Sequence, residues 1–307
     1  MYELAIIGGG PAGVAAGIYA SRKRLKTVFV TESFGGQSVV SENIENWVGT
    51  ASISGLELAK NLENHLRAYA KDAVDINLGE KVKSVSKSGD NFVVETNSGQ
   101  KFESRAVLLA FGSARRKITV PGAEKFENLG ITYCASCDGP IFSDKDVAVI
   151  GGGNAGFETA AQLAAYCKSV TMIHKNEKFK ADPVTVEKVL SKPNVKGILN
   201  AELLSVEGEK FVSGLTYKDK KSDQIIKLPV EGIFVEIGLI PSTGPVKDLL
   251  PMNEIGQIIV DPRTGSTEIK GIWAAGDCTD LPYHQNNIAA GDAVRALEDI
   301  YMCLNAK

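Results

Sequence analysis

Ile6-Ile7-Gly8-Gly9-Gly10-Pro11-Ala12-Gly13, near the start of this 307-residue chain, returns 143 residues later as Val149-Ile150-Gly151-Gly152-Gly153-Asn154-Ala155-Gly156. Each copy sets G-x-G-x-x-G between an apolar run and an alanine-rich segment. Such glycines allow a sharp strand-to-helix turn and let the backbone approach a pyrophosphate seated on the helix N-terminus. Glycine turns also occur in doubly wound folds that bind nothing there, so one copy alone is weak evidence. Two copies in this context predict two dinucleotide sites. Just before the second lies Cys134-Ala135-Ser136-Cys137-Asp138, a dithiol at the spacing of disulfide exchange. The simplest combination is a flavin, a nicotinamide and a redox disulfide in series.

The pattern around the first loop predicts a strand over 3–7, a helix from Pro11 to about Ser21 and a strand from Thr27 to Val30. Glu32 follows 19 residues after Gly13, where a ribose hydroxyl needs an acceptor. A helix is expected from Gly55 to Ala70, because Leu58, Leu62, Leu66 and Tyr69 recur at helical spacing. Strands around Phe92–Thr96 and 106–111 complete a first sheet. The second loop repeats the scheme, with a strand over 146–150, a helix over 156–167 and a strand over 169–173. Strand character returns at 232–238 and at Ile258-Ile259-Val260-Asp261. Gly271-Ile272-Trp273-Ala274-Ala275-Gly276-Asp277 then reads as a return to the first sheet, followed by a helix from Asn286 to Leu304. The expected class is α/β, with two Rossmann-like domains and the second inserted in the first. The outer domain takes 1–116 and 246–307, and the inner one takes 117–245.

Composition narrows the function. The chain is 44% hydrophobic, and 34 basic against 37 acidic residues leave a formal charge of -3, which gives no reason to invoke nucleic acid or an anionic membrane. No apolar run is long enough to span a bilayer. With a strand expected from about Glu3, no secretory leader is expected, and the cytoplasm is the expected compartment. Cys167, Cys278 and Cys303 are scattered singly, against a disulfide framework, and a zinc ribbon lacks its second close pair, so no metal is expected.

Laying one half of the chain on the other puts His174 where the first half has Glu32. Loss of the carboxylate removes repulsion toward a 2′-phosphate, and Lys175 and Lys180 either supply positive charge there or are ordinary solvated lysines. That leans toward NADPH.

Together the two loops, Cys134-Ala135-Ser136-Cys137-Asp138-Gly139, Glu45-Asn46-Trp47 and Ala275-Gly276-Asp277 resemble the low-molecular-weight thioredoxin reductase family over essentially the whole length. The resemblance implies an FAD domain built from both chain ends, an inserted NAD(P)H domain carrying the dithiol, and a homodimer. By that resemblance FAD would be held by Gly8, Gly10, Pro11, Ala12, Gly13, Glu32, Gly36, Gln37, Asn46, Gly112, Gly276, Asp277, His284 and Gln285. The nicotinamide cofactor would be held by Gly151, Gly153, Asn154, Ala155 and Gly156, with His174, Lys175 and Lys180 near its adenosine end. Cys137 would face the flavin, Cys134 would attack a small dithiol protein such as thioredoxin, and Asp138 would manage the proton. The alternative for Asp138 is a turn or capping acid before Gly139-Pro140. The family's nucleotide domain swings between two poses, and its hinges would fall near 112–121 and 241–245.

Departures matter as well. Two adjacent arginines of the family are Lys175-Asn176 here, and a later arginine is Lys180, which weakens 2′-phosphate selectivity because lysine lacks the bidentate fork. The family's Ala-Thr-Gly is Ala110-Phe111-Gly112, and a basic residue before Gln285 is His284. Gly276-Asp277-Cys278-Thr279 and Pro282-Tyr283-His284-Gln285 are closer to the flavoprotein subunit of alkyl hydroperoxide reductase. NADH or ferredoxin as donor, a separate peroxiredoxin system as acceptor, and a flavin redox sensor without turnover are therefore the competing readings. Cys278 reads as a second redox thiol or, more simply, as a small buried residue. Arg115-Arg116-Lys117 reads as a docking patch, a phosphate contact or a solvated connector.

Overall fold

The computed structural model describes residues 1–41 and 44–305. They form two compact units, one of the described residues within 1–114 and 240–305, the other of residues 115–239.

The first unit opens with β1 (Tyr2–Ile7), α1 (Pro11–Arg22), β2 (Thr27–Thr31), α2 (Gly55–Ala70) and β3 (Val74–Leu78), followed by β4 (Val82–Ser88), β5 (Asn91–Thr96) and β6 (Lys101–Leu109). Its sheet runs β3-β2-β1-β6-β5-β4, parallel from β3 to β6 and antiparallel beyond. β1 and β2 read as unbroken apolar runs because both sheet faces are covered. Leu4, Ile6, Phe29 and Leu108 face the helices, packing with Val14, Leu58, Leu66 and Leu297. Ala5, Ile7, Val28, Val30 and Leu109 point the other way, toward Val85, Phe92 and Ile272. Pro11 at the first helical position suits its fixed φ and missing N–H, and Ser54 caps α2 by accepting from the Glu57 N–H at 3.2 Å.

After β7 (Ser113–Arg115) the second unit places β8 (Ile131–Thr132) and a single turn, α3 (Ala135–Asp138). Then come β9 (Asp146–Ile150), α4 (Asn154–Leu163), β10 (Ser169–Ile173), α5 (Pro183–Leu190) and β11 (Val195–Ile198). An antiparallel meander follows, β12 (Ala201–Gly208), β13 (Val212–Asp219) and β14 (Ile225–Leu228), and then β15 (Gly232–Val235) and β16 (Leu239–Pro241). The parallel sheet runs β11-β10-β9-β15-β8. Ala148, Ile150, Ile233 and Val235 pack against the meander, whereas Val147, Val149, Met172 and Phe234 pack against Phe157 and Leu163 of α4. The connecting strands β7 and β16 pair with each other.

The chain returns through β17 (Ile272–Ala274), which pairs in parallel with β6, and ends in α6 (Asn286–Asn305). Two expectations shift in detail. The second loop's helix stops at Leu163 rather than 167, and Asn194 Nδ2 donates to the carbonyls of Ala164 and Cys167 at 3.0 and 3.1 Å, satisfying groups a longer helix would have used. Ile258–Asp261 makes only isolated bridges at Ile258, because the Val260 N–H turns to the Asp280 carboxylate at 3.1 Å. No described helix is long and apolar enough to cross a membrane.

Candidate functional site

The three glycines of each loop do different work. Gly8 has φ +117°, and a Cβ there would collide with the carbonyl of Ala110 at the end of β6; one at Gly13 would collide with the carbonyl of Gly8. At Gly10 the nearest atom to an added Cβ is the Gly36 Cα at 3.9 Å. The second loop repeats this. Gly151, at φ +137°, is pressed on the Glu236 carbonyl and Gly156 on the Gly151 carbonyl at 2.8 Å, while Gly153 has nothing within 4 Å. The outer glycines let strand and helix close up, and the middle one leaves open backbone at the helix start. Neither α1 nor α4 carries a side-chain cap or an acid in its first turn, so its first N–H groups and positive dipole end face that space. Both cradles fit a dinucleotide diphosphate.

Around the first cradle the structure gathers residues far apart in sequence. The Gly35 N–H donates to the Gly9 carbonyl at 2.8 Å, which brings Gly36 and Gln37 alongside Gly10. Asn46 Nδ2 donates to Gln285 Oε1 at 3.2 Å, and a Cβ on Gly276 would meet Ala12 at 3.4 Å. Glu32 stands exposed beyond β2, 3.6 Å from Lys81. His284 has a buried Nε2 without a partner. Near it Asp292, buried in α6, has its carboxyl raised by burial, which Arg295 opposes. Gly112 turns at φ +66° beyond β6. Sequence reading missed Ser38, Asn286 and Asn287: Ser38 Oγ donates to Asn286 Oδ1 at 2.9 Å, and Asn287 Nδ2 to the Asn46 carbonyl at 2.7 Å. Their only signal is a place beside an expected site residue, Gln37 for Ser38 and Gln285 for Asn286 and Asn287. Cys278 is fully buried, and burial pushes its thiol up to about 12, which suits a packing residue.

Beside the second cradle, His174 lies beneath Gly152, where an added Cβ would come within 2.7 Å of both the imidazole and Phe179. The Lys180 N–H donates to the Gly152 carbonyl at 2.7 Å, so segment 174–180 folds onto the loop, with Lys175 and Lys180 exposed. His174 is 7% exposed, its Nε2 has no partner, and burial lowers its pKa from 6.5, so it is neutral at pH 7. The Asn154 side chain accepts from the Asp182 N–H at 2.9 Å, and Ala155 sits exposed in the first turn of α4. Thr159, Glu236 and Arg115 form a further group: Thr159 Oγ1 donates to Glu236 Oε1 at 2.9 Å, and Arg115 stands 3.7 Å from Oε2.

Cys134 and Cys137 are joined in a disulfide with Cα atoms 5.3 Å apart. Cys134 caps the single turn α3, and Asp138 accepts a hydrogen bond from Thr132 Oγ1. A Cβ at Gly139 would strike the Tyr166 hydroxyl, so a side chain there would displace the tip of Tyr166. Ser136 exchanges hydrogen bonds with Gln162 at 3.1–3.2 Å, so the disulfide turn rests near the C-terminal end of the helix whose N-terminus carries the second cradle. Next to it the Tyr133 hydroxyl, raised by burial, donates to Glu127 at 2.9 Å. Among the described residues no cluster of three or more His, Cys, Asp or Glu side chains is placed to hold a metal ion.

Residues 2–294 match the family described as pyridine nucleotide-disulphide oxidoreductase. The chain is 39% identical over 295 residues to an NADH dehydrogenase of Bacillus subtilis and 40% identical over 296 residues to the F subunit of Escherichia coli alkyl hydroperoxide reductase. Each alignment covers 96% of this chain and 57% of the relative, so the chain spans just over half their length. Among solved structures, the thioredoxin reductase of Streptococcus pyogenes is 32% identical with a TM-score of 0.89, covering 100% of this chain and 99% of that one. A flavin and a pyridine nucleotide are the cofactors the family implies. The chain belongs to the pyridine nucleotide-disulphide oxidoreductase family, as an oxidoreductase with the thioredoxin reductase fold and a disulfide-forming cysteine pair.

Proposed function

We propose that the chain is a flavoprotein disulfide reductase that passes electrons from NADPH through FAD to Cys134–Cys137 and on to thioredoxin or a thioredoxin-like dithiol protein. The observation that carries this reading is the Cys134–Cys137 disulfide in a unit with its own nucleotide cradle, in a chain with a second cradle in the other unit.

In this reading the backbone around Gly10 and the N-terminus of α1 bind the FAD diphosphate, with Pro11, Ala12, Glu32, Gln37, Asn46, Gly112, Gly276, Asp277, His284 and Gln285 around it. Gly153 and the N-terminus of α4 bind the nicotinamide cofactor, and Lys175 and Lys180 meet a 2′-phosphate. FAD, when bound, supplies the chemistry that turns a hydride from the nicotinamide into an electron pair for a disulfide. That pair, with protons, opens Cys134–Cys137 to two thiols. Cys134 Sγ then attacks the partner's disulfide and forms a mixed disulfide, expelling one partner thiol. Cys137 attacks Cys134 Sγ, restoring the ring and releasing the reduced partner. Asp138, held by Thr132, is the proton carrier beside Cys137. The three free cysteines fit a reducing, cytoplasmic setting, and a homodimer is the proposed assembly.

A second reading, NADH as donor and a separate peroxiredoxin system as acceptor, is favoured by a neutral His174, by lysines in place of bidentate arginines, and by the names of the two relatives above.

The test is steady-state reduction of thioredoxin by the FAD-loaded protein and its Cys134→Ser variant. The variant is expected to lose turnover while its flavin is still reduced by nucleotide. Turnover at the original rate would remove the assigned role of Cys134.

A further inference from the structure

The two cradles are built on one plan down to the strand beside the loop. β1 lies between β2 and β6, β9 lies between β10 and β15, and in each case the chain leaves the central strand through its helix toward the second strand. The crevice of such a sheet opens on the opposite side, between β1 and β6 in one unit and between β9 and β15 in the other. The residue beyond the flanking strand is Ala110 in the first unit and Glu236 in the second. Each presents its carbonyl to the loop's first glycine, and each is followed two positions later by a glycine in the left-handed region, Gly112 at φ +66° and Gly238 at φ +104°. One crevice therefore has a methyl group where the other has a carboxyl group.

Burial works against the charge of Glu236, and two partners support it. Its side chain is 10% exposed, its Cβ is 3.8 Å from an added Cβ on Gly156, and its oxygens meet Thr159 Oγ1 and Arg115. Glu158 is the other charged group acting on it. Segment 174–180 lies on the β10 side of the loop and the diphosphate cradle at Gly153, so a nucleotide with its adenosine by His174 extends its other half toward β15. A nicotinamide ring is cationic when oxidised and neutral when reduced, and a carboxylate in a water-poor crevice distinguishes the two.

We propose that Glu236 selects the redox state of the bound pyridine nucleotide, with its carboxylate favouring the oxidised, cationic nicotinamide over the reduced one. The inference rests on reading the second cradle as the pyridine-nucleotide site. By linkage, tighter binding of the oxidised form makes the bound nucleotide a stronger hydride donor and slows release of the oxidised product. Arg115 moderates the effect by sharing the charge.

The experiment compares FAD-loaded wild type and Glu236→Gln by calorimetry with three ligands: NADP+, its neutral tetrahydro analogue, which cannot donate hydride, and 2′-phospho-ADP-ribose, which lacks the nicotinamide. The variant is expected to bind NADP+ roughly threefold to tenfold more weakly relative to the tetrahydro analogue. Affinity for 2′-phospho-ADP-ribose stays unchanged, and Glu236→Asp retains part of the preference. Glu236→Ala, which copies the first unit, gives the same answer should the glutamine variant fold poorly. An unchanged ratio of NADP+ to tetrahydro analogue, or an equal shift in all three ligands, would overturn the role of Glu236. Failure of wild type to bind either these three or their counterparts without the 2′-phosphate, NAD+, tetrahydro-NAD and ADP-ribose, would instead remove the nucleotide-site reading beneath it.

Discussion

The two glycine cradles share a backbone and differ at both ends. In the first, the strand after the helix ends at an exposed acid, Glu32, and the crevice strand ends at Ala110; in the second, the same positions hold a buried, neutral His174 and a carboxyl, Glu236. The shared part, turn glycines and an uncapped helix start, is what any dinucleotide diphosphate demands. The differing parts are where one cofactor is told from another. A duplicated fold thus keeps its structural glycines and varies its rim.

The largest effect should come from separating structural from ligand-facing glycines. Gly13→Ala drives a Cβ into the Gly8 carbonyl and is expected to cost about 2–4 kcal/mol, seen as a fall in Tm and loss of retained flavin. Gly153→Ala meets nothing within 4 Å, so its Tm should hold while nucleotide binding weakens. Equal Tm losses in both variants would erase the distinction drawn between the glycines.

Smaller effects are expected from the rim of the second cradle. Lys180→Ala should weaken NADPH binding about threefold to tenfold and leave NADH unchanged, and Lys180→Arg should sharpen the preference for NADPH. Equal responses to the two nucleotides would place Lys180 away from the 2′-phosphate.

The smallest effect concerns stability. Burial raises the Glu236 carboxyl above the ordinary 4.5, against the pull of Arg115 and Thr159. The native state therefore keeps a proton the unfolded chain has lost, and stability falls as pH climbs from 4.5 through the raised value. Glu236→Gln removes that penalty, so its Tm should exceed wild type at pH 8 and the gain should fade as pH falls to 4.5. A gain that is constant with pH would point to packing instead.

Much of this architecture is legible in the sequence. Strands β1, β2, β9 and β10 announce themselves because both faces are buried, and the outer glycines because only they fit against a carbonyl. The end of α4 is not, because it depends on Asn194, some thirty residues downstream. The pairing of Asn46 with Gln285 spans 239 residues, and the sequence motifs mark both without showing that they touch. Glu236 escaped notice for a related reason. Nothing in Val235-Glu236-Ile237 distinguishes an exposed strand-end acid from a buried one until Thr159, 77 residues earlier, and Arg115 close over it.

Anaerobic titration of the FAD-loaded protein with NADPH and, separately, NADH shows whether a nucleotide, a flavin and a disulfide act in series. Flavin absorbance and electrons consumed are followed together. Complete bleaching is expected with uptake of two electrons beyond those the flavin takes, and the Cys134→Ser variant is expected to take up only the flavin's share. Bleaching that ends at the flavin's share in wild type, or a flavin that dithionite reduces and neither nucleotide does, would contradict action in series.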